Sequence, residues 1–354
     1  MPWPGPPLSQ DICPVNKTIE WGCLGFQYMD TDCHVRYVWR NGAWDAGEVV
    51  REPYLRIHIA ATALHYGQTA FEGLKVFRCR DGKVRAFRPR ENARRMARTS
   101  ERICMAPLPE ELFMEAVARV VKANPGYVPP YGTGGSLYVR PLLFGSGARI
   151  GVQPADEYVF LVLVVPVGAY YKGGLSPVSA VVMDEYDRAA PRGVGSVKVG
   201  GNYAAGLRPH EEAHKQGFPI ELYLDAREHR YVDEFGTSNF IAITRDGKYV
   251  TPKSESILPS VTNLTLQQIA RDMGMPVEIR PVEFDEIAGF AEVGACGTAV
   301  VITPVNEIIR GPTTIRVGPR NGCGPVLQSL YSRVQAIQYG EAPDPHGWTV
   351  EIPE

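Results

Sequence analysis

Between residues 74 and 87 the apolar positions fall into two short runs, Leu74-Lys75-Val76-Phe77 and Val84-Arg85-Ala86-Phe87, around Asp81-Gly82. Asp-Gly accepts the positive φ of a tight turn, so a β-hairpin is predicted here. The period then becomes helical. From Glu91 to Met105, Ala93, Met96, Ala97, Ser100 and Cys104 share one face and the arginines take the other. Residues 136–144 and 157–167 read as strands. The second holds the longest apolar run, Tyr158 to Val167, which is free of charge and suits a buried strand. It is well short of the roughly 18 residues that span a bilayer.

Gly168 to Pro177 is rich in structure breakers and reads as a linker. Beyond it a helix is predicted over 202–216, stopped by Gly217. Strands follow at 220–224, 231–235 and 240–244, with a turn at Asp246-Gly247. Residues 254–262 form a loop that feeds a helix at 264–273, ended by Gly274. A strand at 298–302 and a helix at 326–339 complete the pattern. Residues 1 to about 20 read as a loose arm. Strands and helices mix in both halves, so the expected class is α/β with α+β character. Two domains are expected: a smaller one over 1–167 and a larger one over 178–354, joined by the linker 168–177. A ligand site is expected near that junction.

Composition narrows the function classes. With 44% hydrophobic and 21% charged residues and a formal net charge of -2, the chain gives no reason to expect nucleic acid or an anionic membrane as partner. Seven cysteines, odd in number and without a Cys-x-x-Cys, argue against a disulfide framework and for a reducing compartment. Met1 to Gln10 shows neither a secretory signal nor an arginine-rich transit peptide. Cytosol is the expectation.

Two short stretches carry candidate chemistry. Gly195-Ser196-Val197-Lys198-Val199-Gly200-Gly201-Asn202-Tyr203 sets one lysine among small residues just before a helix start. Glycines let backbone and a flat ligand approach closely, and a desolvated lysine there loses its proton readily and can form an imine. Alone, such a lysine reads as a loop residue in solvent. Its company changes that reading: Glu234 in Val232-Asp233-Glu234-Phe235-Gly236-Thr237-Ser238-Asn239, and Ile257-Leu258-Pro259-Ser260-Val261-Thr262 running into a helix whose free N–H groups suit an anion. Gly297-Thr298-Ala299 offers a further hydroxyl and backbone donors. A rival pattern is His210-Glu211-Glu212-Ala213-His214, the His-Glu-x-x-His of zinc peptidases, with Glu234 as third ligand. Pro209 and the polar surroundings weaken it, and a solvated helical turn is expected instead.

A lysine for an imine, an acid for a ring nitrogen and an anion cradle suit pyridoxal 5′-phosphate. The whole resembles the branched-chain amino acid aminotransferases, which are fold-type IV pyridoxal phosphate enzymes. The resemblance runs from about Trp39 to Trp348 and rests on Leu64-His65-Tyr66-Gly67, Phe71-Glu72-Gly73-Leu74-Lys75, Arg94-Arg95-Met96, Ser136-Leu137-Tyr138-Val139-Arg140-Pro141, Pro166-Val167-Gly168-Ala169-Tyr170, the Lys198 stretch and Glu234-Phe235-Gly236-Thr237-Ser238-Asn239. It implies that Lys198 forms the internal aldimine and carries the proton, and that Glu234 partners the ring nitrogen. It gives Tyr203 the ring hydroxyl, Arg188 the support of both, and Leu258 the packing on the ring. It assigns the phosphate to Arg95, Val261, Thr262 and Thr298. Tyr66, Phe71, Tyr138, Arg140, Tyr170, Thr237 and Ala299 fall in the implied substrate pocket. Ile150 and Val152 match a loop that enters the neighbouring subunit's pocket, implying a homodimer.

The activity implied is transfer of amino groups between branched-chain or related aliphatic L-amino acids and 2-oxoglutarate, with amino acids and 2-oxo acids as the only partners besides a second copy. Other fold-type IV activities are the alternative: a D-amino acid or (R)-amine transaminase, or an aminodeoxychorismate lyase. A metallopeptidase and a non-catalytic binding protein are the rivals outside the fold. The sequence departs from the family in three places. Val300 and Thr303 stand where animal mitochondrial members carry a redox Cys-x-x-Cys. No aromatic stands at Met29 or Asp30, Phe26 being the nearest upstream, and Ser238 replaces a bulkier apolar residue. The last two could enlarge or polarise the pocket, so a larger or unusual aliphatic amino acid is an open alternative for the substrate.

Overall fold

The computed structural model describes residues 19–168 and 175–353. Two sheets dominate. The first contains β1 (His34–Arg40), β2 (Ala43–Trp44), β3 (Glu48–Val50), β4 (Thr69–Phe71), β5 (Leu74–Arg78), β6 (Val84–Phe87), β7 (Ser136–Gly145) and β8 (Tyr158–Val167), with helices α1 (Thr62–Tyr66), α2 (Pro89–Arg102) and α3 (Glu110–Ala123). The second contains β9 (Val178–Val182), β10 (Ile220–Leu224), β11 (Val232–Phe235), β12 (Ser238–Thr244), β13 (Tyr249–Pro252), β14 (Val277–Arg280), β15 (Phe290–Gly297), β16 (Val301–Arg310) and β17 (Thr313–Arg316). It is joined by α4 (Gly200–Lys215), α5 (Val261–Asp272) and α6 (Pro325–Gln338). The last strand, β18 (Thr349–Glu351), returns to pair with β6 at the edge of the first sheet.

The first sheet runs β18-β6-β5-β7-β8-β1-β2. Its inner strand β8 lies between β7 and β1, as its unbroken apolar run requires. Helices α2 and α3 cover one face. Met96, Phe113, Val117 and Val120 pack there against Val35, Leu74, Val76 and Phe160. The second sheet follows β11-β10-β9-β16-β15-β12, and β12 pairs with β11 again, so it closes into a ring. Side chains alternate across a strand, and closure turns one face inward. From β12, Phe240 and Ala242 fill the ring with Leu222, Phe235, Val293 and Val305. Its other face, Ile241 and Ile243, packs outward on Leu266 of α5 and on Leu330 and Val334 of α6, joined by Phe77 and Phe87 of the first sheet. Each such buried side chain is worth roughly 1.5–3 kcal/mol, so this outer cluster holds the two sheets together.

Most local expectations are met. The hairpin is β5–β6, with Val76 opposite Ala86. The helix expected over 91–105 is α2, opened by Pro89 at its first position. One assignment within it is corrected: Arg95 is not on the solvated arginine face but buried, because Glu72 supplies a carboxylate to meet it. The helix expected from 264 begins at Val261, since the Ser260 hydroxyl accepts the Asn263 N–H at 3.3 Å and caps it. The strand expected over 298–302 is a second correction. Gly297 pairs with Val301 across β15–β16, so residues 298–300 form the turn between them. Of the expected linker, residues 169–174 lie outside the described residues. Among the described residues no helix is long and apolar enough to cross a membrane.

Candidate functional site

Lys198 lies where the two sheets meet. Phe71 N–H donates to its carbonyl at 3.1 Å, Ala70 bridges to Val199, and its own N–H donates to Thr99 Oγ1 at 3.1 Å. The backbone is thereby held between β4 and α2. α4 starts two residues later, and a Cβ at Gly200 would approach Thr69 Oγ1 to 2.5 Å, so a larger residue there would require the Thr69 side chain to move. The lysine is half-buried, its amine set between two aromatic rings. Its Nζ donates to Tyr203 Oη at 2.6 Å and stands 4.7 Å from the centre of the Phe71 ring. Burial, then the Arg95 cation, draw its pKa down to about 7, with Glu72 pulling the other way. Burial and the field of Glu234 push the Tyr203 hydroxyl up to about 12, so it keeps its proton.

At one end of this amine stands Glu234, on β11. Its Oε1 accepts the Leu258 N–H at 2.9 Å and lies 2.9 Å from Arg188 Nη2, and its Oε2 accepts Asn239 Nδ2 at 2.7 Å. Asn239 is its cross-strand partner, so the β11–β12 register itself delivers that bond. Arg188 is anchored in turn on the carbonyls of Gly195 and Ser256. Burial raises the Glu234 pKa, opposed by Arg188 and the two hydrogen bonds. A carboxyl so poised can share a proton with a basic ring nitrogen. Leu258, half-buried, gives Asn239 its carbonyl at 3.0 Å.

At the other end Arg95 grips Glu72 with two parallel bonds, Nε–Oε1 and Nη2–Oε2, both 2.7 Å, and gives Nη1 to the Pro259 carbonyl at 3.0 Å. Asn92 Nδ2 adds a bond to Glu72 at 2.8 Å. Val261 and Thr262 are the first residues of α5, where N–H groups lack intrahelical acceptors. Thr298 Oγ1 donates to Gly73 O at 3.3 Å. Gly73, Lys75, Val261, Thr262 and Thr298 line one cavity.

The remaining expected residues divide. The Phe71 ring meets Tyr203 edge-on at 4.8 Å, and the Arg140 guanidinium lies 4.9 Å from Phe71 and 5.3 Å from Tyr138. Arg140 Nη2 donates to Tyr138 Oη at 3.1 Å, and its Nε is buried without a partner among the described residues. Tyr138 Oη occupies the place a Cβ on Gly73 would need. Ala299 accepts Lys75 Nζ at 2.7 Å. Thr237 sits exposed in the turn between β11 and β12. Tyr66 donates to the Ile150 carbonyl, and both face outward with Val152. Tyr170 lies outside the described residues.

Four residues with a place here carry no role in the sequence reading: Glu72, Asn239, Lys75 and Phe26. Phe26 meets Tyr138 edge-on at 5.0 Å, with Met29 against the same cluster, so an aromatic is supplied from a different position. Asn239 and Lys75 are legible as polar residues inside apolar strand patterns, and Glu72 as a carboxylate between two apolar strands. The zinc reading finds no support. His210 Nδ1 is 3.0 Å from Glu221, and Glu234 is committed to Arg188. Among the described residues no group of three or more His, Cys, Asp or Glu is placed to hold a metal ion.

These residues fit pyridoxal phosphate: a half-buried, weakly basic lysine lies within the field of the buried Glu234 and of the buried Arg95, which bonds the Pro259 carbonyl just ahead of α5. A family model described as amino-transferase class IV matches residues 69–308. The branched-chain-amino-acid aminotransferase of Haemophilus influenzae is 48% identical over 342 residues, covering 95% of this chain and 99% of that protein. The solved Escherichia coli branched-chain amino acid aminotransferase has a TM-score of 0.76 at 29% identity, over 90% of this chain and 99% of that one. The T.th. branched-chain amino acid aminotransferase, solved with pyridoxamine 5′-phosphate, has a TM-score of 0.75 at 26% identity, over 90% of this chain and 98% of that one. The chain therefore belongs to the class IV aminotransferases, the fold-type IV enzymes, within their branched-chain amino acid aminotransferase family.

Proposed function

We propose that the protein binds pyridoxal 5′-phosphate at Lys198 and moves amino groups between branched-chain or related aliphatic L-amino acids and 2-oxoglutarate. The observation that carries this is the Lys198 amine, bonded to Tyr203 Oη at 2.6 Å and brought to a pKa of about 7. When bound, the cofactor supplies an electron sink next to the substrate's α-carbon. Glu234 would hold the proton on its ring nitrogen, Tyr203 would meet its ring oxygen, and Arg95, Val261, Thr262 and Thr298 would hold its phosphate. Lys198 Nζ, uncharged in a large share of molecules at neutral pH, is the base that removes the substrate's α-proton and later returns one. The amine lies 4.7 Å from the centre of the Phe71 ring and 5.0 Å from that of Tyr203.

Two unlike substrates share one pocket in this reading. The unpartnered Nε of Arg140 is available to the side-chain carboxylate of glutamate, and the rings of Phe71 and Tyr138 to an aliphatic side chain. Ser238 lies 3.6 Å from where a Cβ on Gly297 would sit, so this wall is built of small residues and suits a larger aliphatic donor. The pocket is completed by a second copy: Ile150 and Val152 are 74% and 87% exposed, which suits side chains that enter a neighbour's site with Tyr66 at the rim. The same reading divides the chain into domains 1–167 and 178–354 and places it in the cytosol. A panel of amino donors with 2-oxoglutarate, followed together with the visible spectrum, tests it. Leucine, isoleucine, valine or a longer aliphatic donor should be consumed with a change in the cofactor band; a protein without that band, or one that accepts only D-amino acids, would sink the proposal.

A further inference from the structure

The charge at the phosphate end does not balance with the residues so far assigned to it. Arg95 is paired in two-pronged fashion with the fully buried Glu72, so the two together are nearly neutral. The N-terminus of α5 adds the equivalent of roughly +0.5 charge. A phosphate monoester carries about −1.5 to −2 at pH 7. More positive charge is needed.

The same cavity contains it. Lys75, on β5, lines the cavity together with Thr262 and Thr298. Among the described residues its ammonium has one acceptor, the Ala299 carbonyl at 2.7 Å, and two N–H donors remain. Burial alone depresses its pKa, to about 8, with no neighbouring carboxylate raising it. Lys75 is half-buried, and a cation drawn out of water without a counter-charge is costly until an anion arrives. The contact also fixes a turn. Val301, β-branched, holds φ at +66°, a conformation such residues rarely keep without outside support. β5 and the residue before it grip that turn at successive positions, Gly73 O on Thr298 and Lys75 on Ala299.

We propose that Lys75 is a second cation of the phosphate pocket: anchored on the Ala299 carbonyl, its ammonium neutralises the anion that Arg95, already paired with Glu72, leaves uncompensated. This rests on pyridoxal phosphate being the cofactor. The test compares wild type, Lys75→Met and Lys75→Gln, each freed of cofactor and titrated with pyridoxal 5′-phosphate and with pyridoxal, which lacks the phosphate. Glutamine keeps a donor for Ala299 but not the charge. Both variants should bind pyridoxal phosphate roughly tenfold more weakly or worse, and pyridoxal as wild type does. Wild-type affinity for pyridoxal phosphate in Lys75→Gln overturns the proposal. Equal losses for both ligands also overturn it, leaving Lys75 a support of the turn. Failure of the wild type to take up pyridoxal phosphate would instead sink the cofactor assignment itself.

Discussion

Two buried arginine–glutamate pairs bracket the Lys198 amine, and they are used in opposite ways. In Arg95–Glu72 the glutamate is saturated: it accepts two bonds from the arginine and others from Asn92 and Gly73 N–H, while the arginine also gives Nη1 to the Pro259 carbonyl. In Arg188–Glu234 the arginine gives Nη2 to the Gly195 and Ser256 carbonyls and to Glu234, its Nε is buried without a partner among the described residues, and the glutamate accepts three bonds where Glu72 accepts four. Residue type does not reveal which member of a pair serves the ligand. What the rest of the fold has already engaged on each member decides how much of it is left for a ligand.

The largest effect is expected where both pairs converge. Lys198→Ala should lower turnover about 10⁴-fold or more and abolish the visible band; a variant that keeps both would refute the role of the amine. The pairs themselves should then separate. Glu234→Gln should keep cofactor affinity near wild type and lower kcat by roughly 10²–10³-fold, whereas Glu72→Gln should weaken cofactor binding and cost about 3 kcal/mol or more of stability, because it strands a buried guanidinium. Cofactor titrations and denaturant melts on both variants read this contrast, and identical behaviour would erase it.

A smaller effect follows from linkage. Lys198 has a folded-state pKa of about 7 against an ordinary 10.5, so between those values the unfolded chain binds more protons than the folded one. In cofactor-free protein this residue's contribution makes stability rise with pH across that window, and its full cost is present below pH 7. Lys198→Met should flatten that slope and raise the melting temperature most at the acidic end; an unchanged slope would contradict the burial assigned to this amine. The smallest change concerns the wall of small residues. Ser238→Val should lower kcat/KM for the longest aliphatic donors relative to valine by roughly tenfold, which a donor panel would reveal.

The local pattern told much of this in advance. The β5–β6 hairpin, α4 and β10 follow from turn chemistry and periodicity within a few residues. α3 is equally legible, since Phe113, Ala116, Val117, Val120 and Val121 repeat at helical spacing, although the sequence reading omits it. The lysine among glycines and the helix-opening Ser260-Val261-Thr262 announced a cofactor site before any contact was known. Other features had no local sign. Periodicity places Arg95 in solvent because its partner stands 23 residues away, and Lys75 meets Ala299 across 224 residues. The turn at 298–300 looks like strand because its conformation is imposed by what grips it.

What the amino-acid order determined by itself is the set of elements and the placing of reactive side chains at their ends, since turns, caps and periodicity depend on residues a few positions apart. Only the tertiary structure decided how strongly basic Lys198 is, which carboxylate is exhausted and which is free, and that the second sheet closes on itself. Those depend on desolvation and on charges brought in from distant parts of the chain, and neither exists until the two sheets have packed together.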